Sequence, residues 1–208
     1  MNINRDLSIE ETFNKAIEYH KDKKINFAKK LYNEVIKKDP SHIRALNNLG
    51  IIFFSLKKFN DAIKIFEKTI AIDFNYLSGH NNLGLIFKEI QNYQKAISSF
   101  QEAIKINPNY FEAHNNIGIT FYECGEYQKA INSYQKAIKI NPNIMEAYCN
   151  IGLAYEKTGD INKAFNSYQK VPKSDSNYKY AQYNFASLLY KDKQYKKAIK
   201  IFKINSRR

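Results

Sequence analysis

Asn115-Asn116-Ile117-Gly118 returns at a fixed interval along the chain, as Asn47-Asn48-Leu49-Gly50 and Asn81-Asn82-Leu83-Gly84 before it and as Cys149-Asn150-Ile151-Gly152 after it. The glycines stand at 50, 84, 118 and 152, always 34 residues apart. A second series, Ala28, Ala62, Ala96, Ala130, Ala164 and Ala198, keeps the same step, so six units are in register. A period of this length marks an array of helical hairpins, each too small to bury its own apolar face and stable only when stacked on its neighbours. The predicted fold is an all-α solenoid. It forms a single array over residues 1–208, with units at 9–42, 43–76, 77–110, 111–144, 145–178 and 179–208.

Each unit divides into two helices. In the fourth, Phe111, Asn115, Gly118, Ile119 and Tyr122 follow a three-four spacing, and Tyr127, Ala130, Ile131, Tyr134, Ala137 and Ile138 resume it after a break at Cys124-Gly125-Glu126. Gly125 and Gly159 can take the left-handed geometry that ends a helix. Second helices are expected to stop at Asn107-Pro108-Asn109 and Asn141-Pro142-Asn143, since proline cannot extend a helix and asparagine favours turns. In the fifth unit Val171-Pro172 should stop the second helix early. The glycines and alanines let helix axes approach toward the low end of roughly 8–10 Å. The aromatics are the expected core: Phe53, Phe87, Phe121 and Tyr155 after the glycines, and Tyr32, Phe66, Phe100, Tyr134, Tyr168 and Phe202 after the alanines.

The residues His80, Leu83-Gly84, Phe87, Ala96, Phe100, Ala103 and Pro108 of the third unit resemble the pattern of the tetratricopeptide repeat, and the match extends over almost the whole chain. The resemblance implies a right-handed superhelix of tetratricopeptide helical hairpins with a concave groove. Departures are Ala16 and Ala186 in the glycine slot, Phe74 where proline is usual, and Ser176 in the proline slot.

No apolar run approaches the roughly 20 residues of a membrane span, and Met1 to Glu11 is too polar for a signal peptide, so an intracellular, cytoplasmic protein is expected. Cys124 and Cys149 have no metal-ligand or disulfide spacing and are expected to be reduced, buried and inert. The net charge of +13 rests on 33 basic residues, of which only Arg5, Arg44, Arg207 and Arg208 are arginine, so nucleic acid is disfavoured. Lysines concentrate on second helices and at the end, in Lys193, Lys196, Lys197, Lys200, Lys203, Arg207 and Arg208. A solvated outer face is the first explanation of that run, and contact with RNA or an acidic surface the second.

No catalytic constellation, cofactor motif or metal set is read from the residues. His80 and His114 stand one period apart, too far to share an ion, and are expected to be packed core residues; His20 and His42 have no partner at any recognisable spacing. What packing alone does not explain is the series Asn14, Asn48, Asn82, Asn116, Asn150 and Asn184, with Asn47, Asn81 and Asn115 beside it. The resemblance places these on the inner surface, together with Phe54, Lys88, Tyr122 and Tyr190. The repeat domain of O-linked N-acetylglucosamine transferases holds extended peptides along a similar asparagine ladder, since an amide offers donor and acceptor to any backbone. With repeats about 10 Å apart and a strand rise of about 3.3 Å, one asparagine would meet roughly every third guest residue. The other reading is a scaffold role, with the amides bonded inside the array.

Across the chain the inner charges nearly cancel, with Lys21, Arg44, Lys88, Lys157 and Lys191 against Glu10, Glu89, Glu112, Glu123, Glu146 and Glu156, and no basic pair converges to clamp a carboxylate. The expected function is a non-catalytic scaffold binding an extended peptide or a partner helix of another protein. The rival is a substrate-recognition fragment of a larger enzyme, such as a protein O-glycosyltransferase. The apolar side of the last hairpin is further expected either to be covered by more chain or to self-associate through the C-terminal repeat.

Overall fold

The chain reverses at Gly125 and Gly159 in the fourth and fifth hairpins, where the sequence breaks the helical spacing. The computed structural model describes the backbone of residues 7–206 and side chains as far as Ile201. Over these the first helices of the six units are α1 Ile9–Lys21, α3 Ile43–Ser55, α5 Leu77–Glu89, α7 Phe111–Glu123, α9 Met145–Thr158 and α11 Tyr178–Lys191. The second helices are α2 Ile25–Lys38, α4 Phe59–Ile72, α6 Tyr93–Ile106, α8 Tyr127–Ile140, α10 Ile161–Gln169 and α12 Tyr195–Ser206. The described residues contain no strand, and the all-α hairpin fold is as expected. Five predicted unit starts coincide with the first residue of a helix; the sixth helix pair begins at Tyr178, one residue earlier than predicted. Phe202, Lys203, Arg207, Arg208 and Arg5, given roles above, lie outside the residues whose side chains are described.

Helix starts and stops have local causes. Ser8 and Glu11 form a reciprocal capping box on α1: Ser8 Oγ accepts from Glu11 N at 3.1 Å and Glu11 Oε2 accepts from Ser8 N at 2.8 Å. Between repeats the constant feature is an Asx turn, in which an Asp or Asn bonds the backbone two residues on; it directly follows the second helix in the first four units and comes six residues after α10 in the fifth. Asp39 Oδ1 accepts from Ser41 N at 3.0 Å and Asp73 from Asn75 at 3.0 Å. Asn107 accepts from Asn109 at 2.9 Å, Asn141 from Asn143 at 3.0 Å and Asp175 from Asn177 at 2.7 Å. The middle residue is Pro40, Phe74, Pro108, Pro142 or Ser176, so proline assists the stop without defining it. In the fifth unit α10 has 9 residues where α8 has 14, and the chain leaves it at Val171-Pro172 as expected.

Within each hairpin one residue takes a left-handed conformation, and these too recur every 34 residues. They are Lys23, Lys57, Gln91, Gly125, Gly159 and Lys193, with φ of 59°, 57°, 59°, 79°, 84° and 60°. Only two are glycine, because the helix C-terminal turn imposes the geometry whatever side chain stands there. A side chain in this region costs about 1–2 kcal/mol, part of which glycine returns as unfolded-chain entropy. Gln91→Gly is therefore expected to stabilise the protein by about 0.5–1 kcal/mol, read as a higher urea midpoint with an unchanged slope. A lower midpoint would show that the Gln91 side chain contributes more than its backbone strain removes.

The chain divides by contacts into two units, one ending at Ile106 and the other beginning at Asn107. In the first, α1 to α6 pack each on the next; in the second, α7 to α12 do so. First helices also touch successive first helices, α3 on α5, α7 on α9 and α9 on α11, whereas successive second helices make no comparable contact among the described residues. Within each unit the first helices therefore form the inner layer.

Phe13 of α1 is fully buried, as are Tyr32, Phe66, Phe100, Tyr134 and Tyr168 of the second helices. Four of them sit over the glycines. A Cβ on Gly50, Gly84, Gly118 or Gly152 would lie 2.7, 2.5, 2.7 or 2.5 Å from the ring of Phe66, Phe100, Tyr134 or Tyr168. The glycine is a seat for a ring as well as a means of bringing axes together. The other aromatic series is more exposed: Phe53, Phe87 and Phe121 are only partly buried, while Tyr155 is buried. Lysines of the second helices cover its rims, Lys95 at 5.3 Å from the Phe87 centroid, Lys129 at 5.6 Å from Phe121 and Lys163 at 5.4 Å from Tyr155. Part of the positive charge thus has a packing role on the outer layer.

Candidate functional site

The inner layer carries the asparagine pairs, and the structure gives the two members different surroundings. Asn48 Nδ2 donates to Tyr32 Oη at 3.1 Å, and Asn82 Nδ2 donates to Asn47 Oδ1 of the preceding repeat at 3.2 Å. Each bond uses one of the two N–H groups of an amide and, in Asn48 and Asn82, leaves the acceptor oxygen. Asn14 is exposed, while Asn48, Asn82, Asn116 and Asn150 are half-buried. Asn184 is only 8 % exposed, and its Nδ2 has no partner. The position that offers Asn47 to Asn82 holds Cys149 one repeat before Asn184; Asn150 has Asn115 at that position and the bond is not made there either. Asn81 and Asn115 are buried, and Asn47 is half-buried.

Phe54, Tyr122 and Tyr190 occupy one equivalent position in alternate repeats, and each is paired with a ring from the start of the following helix. Phe54 meets Phe59 with centroids 6.1 Å apart, Tyr122 meets Tyr127 at 5.4 Å and Tyr190 meets Tyr195 at 5.1 Å. The partners Phe59, Tyr127 and Tyr195, which stand five positions further on at a step of 68, are not among the expected site residues. In the intervening repeats the position holds His20, Lys88 or Glu156. Lys88 is half-buried in the last turn of α5. The Glu156 carboxylate, only 12 % exposed, accepts from Tyr168 Oη at 2.6 Å and from Lys191 Nζ at 3.2 Å. Burial, and then the bond to Glu156, raise the Tyr168 hydroxyl above its ordinary range.

His80 and His114 are buried and held alike. Their Nε2 atoms hydrogen-bond the carbonyls of Phe74 at 2.8 Å and Pro108 at 3.0 Å, tying the first helix to the connector before it. His42 Nδ1 accepts from Ala45 N at 3.1 Å as a cap of α3. The two cysteines differ, and the expectation that both are buried fails for one of them. Cys149 is buried and its thiol is pushed up to about 11 by desolvation and then by Asp175 and Glu146. Cys124 is exposed, because it caps α7 beside the left-handed Gly125 at the tip of the hairpin. Desolvation and the neighbouring Glu126 and Glu123 still raise its thiol pKa, which disfavours the reactive thiolate.

Tetratricopeptide repeat models match residues 43–76 and 146–178, and a further TPR repeat model matches 84–123 and 118–159. The chain belongs to the tetratricopeptide repeat family. A crystal structure of MamA is 32% identical, with a TM-score of 0.68, and the match covers 74% of this chain and 91% of that one. PilF of Pseudomonas aeruginosa matches 93% of this chain and 88% of its own with a TM-score of 0.81 at 17% identity. YrrB, described as a TPR protein with an unusual peptide-binding site, matches 84% and 90% with a TM-score of 0.65 at 17% identity. These last two share the fold. No curated protein matches the sequence. Tetratricopeptide repeat proteins serve as protein-interaction scaffolds, and in that general sense this one does too. No helix among the described residues is long and apolar enough to cross a membrane.

Proposed function

We propose that this tetratricopeptide repeat protein is a non-catalytic scaffold whose inner layer holds an extended segment of a partner protein, with the asparagines as backbone-reading groups and the ring pairs as apolar anchors. The observation that carries the reading is Asn150. It is half-buried on the inner layer and its side chain makes no hydrogen bond among the described residues, so its amide serves no scaffold hydrogen bond. Asn48 and Asn82 serve both purposes, since one N–H of each is used inside the array. Exposed Tyr190 on Tyr195 offers the rigid aromatic surface that dominates interface energetics.

Asn150 also separates the two roles in an experiment. With a peptide mapped from a captured partner, Asn150→Ala is expected to weaken binding about fivefold, the loss of one hydrogen bond of about 1 kcal/mol, while the melting temperature stays the same. Unchanged affinity with an unchanged melting temperature would remove the asparagine ladder from the mechanism.

A further inference from the structure

The outer layer of the second unit carries a groove between successive second helices, and its form changes from one hairpin to the next. Where α8 and α10 flank α9, Gln135 Nε2 donates to Tyr155 Oη at 3.0 Å. Lys163 lies 5.4 Å from the centre of the Tyr155 ring and is held by Asp160 at 3.0 Å. Ring, amide and ion pair fill the space, and the cavity that remains there is about 160 Å³.

One repeat later the same groove is open. Tyr155 is replaced by Leu189 and Asp160 by Gln194, so Gln169, the counterpart of Gln135, meets no tyrosine hydroxyl at that position. Ile138, which lines the earlier cavity from the last turn of α8, has as its counterpart Pro172, beyond the early end of α10. Between α10 and α12, over α11, a cavity of about 520 Å³ results. Its floor is apolar: Phe165 and Phe185 meet edge to face with centroids 5.2 Å apart, beside Leu189 and Ile201.

The rim is positive. In the two preceding hairpins the lysine at this place is neutralised by an acid three residues before it, Lys129 by Glu126 and Lys163 by Asp160. Here Lys197 Nζ donates to the neutral Gln194 Oε1 at 2.8 Å, and Asp192 is bound to the other end of that amide. Neither Lys197 nor Lys200 has a carboxylate partner among the described residues. Apolar surface beside two ammonium groups without counter-charge suits a large apolar side chain flanked by carboxylates. Since Lys197, Lys200 and Gln169 are all exposed, the groove can take a chain lying along it.

We infer that the groove between α10 and α12 is a docking site for an acidic segment of a partner protein, which sets a Leu or Phe side chain on Phe165, Phe185 and Leu189 and its carboxylates on Lys197 and Lys200. The site lies on the outer layer and does not rest on the inner-layer reading above. The net charge of +13 favours encounter with such a partner.

The test uses the whole chain and three fluorescein-labelled peptides: Asp-Glu-Phe-Leu-Asp-Glu, the same peptide with two serines in place of Phe-Leu, and the same with lysine in place of every acid. The first should bind most tightly, and added salt should weaken it. Lys197→Gln combined with Lys200→Gln should weaken it about tenfold. Two variants restore what the preceding hairpin has. Leu189→Tyr refills the groove and should abolish binding, and Gln194→Glu gives Lys197 a carboxylate and should weaken binding about threefold. Melting curves show that each variant is folded, and Gln194→Glu, at the surface, carries the test should Leu189→Tyr not be. Asn150→Ala, on the inner layer, should change nothing. Equal binding of the serine peptide, preference for the lysine peptide, or undiminished binding by Gln194→Glu and by folded Leu189→Tyr overturns the inference. So does a loss on Asn150→Ala, which would put the peptide on the inner layer. An oligouridylate that binds through the same lysines and is indifferent to Leu189→Tyr, where the acidic peptide does not bind, would make the site a polyanion contact and overturn it as well.

Discussion

Phe100→Ala is expected to cost about 3–5 kcal/mol of stability, the range for deleting a buried aromatic ring whose space cannot collapse. The ring is fully buried between α5 and α6 and rests on the backbone of Gly84, where no side chain can move in to fill the gap. Urea unfolding of the whole chain followed by circular dichroism measures the loss. A cost below about 1 kcal/mol would mean that the neighbouring helices close over the cavity, contrary to their regular spacing.

Gly84→Val should be the next most damaging change, at about 1–3 kcal/mol or more, although it adds apolar surface. A Cβ at this position would lie 2.5 Å from Phe100 Cε1, 2.7 Å from Cδ1 and 2.8 Å from Cζ, so the rigid ring or the helix must shift. The two substitutions are coupled by this geometry. In a Phe100→Ala background the valine should cost much less, and a double-mutant cycle should return a coupling of about 1–3 kcal/mol. Additive effects would show that Gly84 answers to something other than the ring.

This pair also shows where the sequence speaks clearly and where it does not. The 34-residue step, the helix boundaries and the early end of α10 were legible because they depend on spacing, on glycine and on proline, all local properties of the chain. That Gly84 seats Phe100 was not, since the two are sixteen positions apart and only the packing of α5 on α6 brings them together. The left-handed turns were half legible: Gly125 and Gly159 announce themselves, while Lys23, Lys57, Gln91 and Lys193 have no propensity for that geometry and are held in it by the helices on either side. Cys124 was misread because it was taken as a small apolar residue, although its place in the break Cys124-Gly125-Glu126 already put it at an exposed hairpin tip. The asparagine positions were legible, but not the division of labour within them. The bond from Asn82 to Asn47 joins two repeats, and it is absent both at Asn184, where Cys149 holds the partner position, and at Asn150, where Asn115 does, so the residue types alone do not announce it.

The Asx turns between repeats have a consequence for how such a chain changes over generations. Each joint is made by Asp39, Asp73, Asn107, Asn141 or Asp175 with the backbone two residues later, and what it takes from a neighbouring hairpin, the bond from His80 to Phe74 O or from His114 to Pro108 O, comes from the first helix just after it. A block of 34 residues cut at this residue carries its own joint with it. Copying or losing such a block in the gene leaves every remaining joint chemically intact, and the hairpins on either side meet a neighbour of the same kind. The protein can therefore lengthen or shorten in whole steps, and drift freely at the middle residue, where proline, phenylalanine and serine already serve.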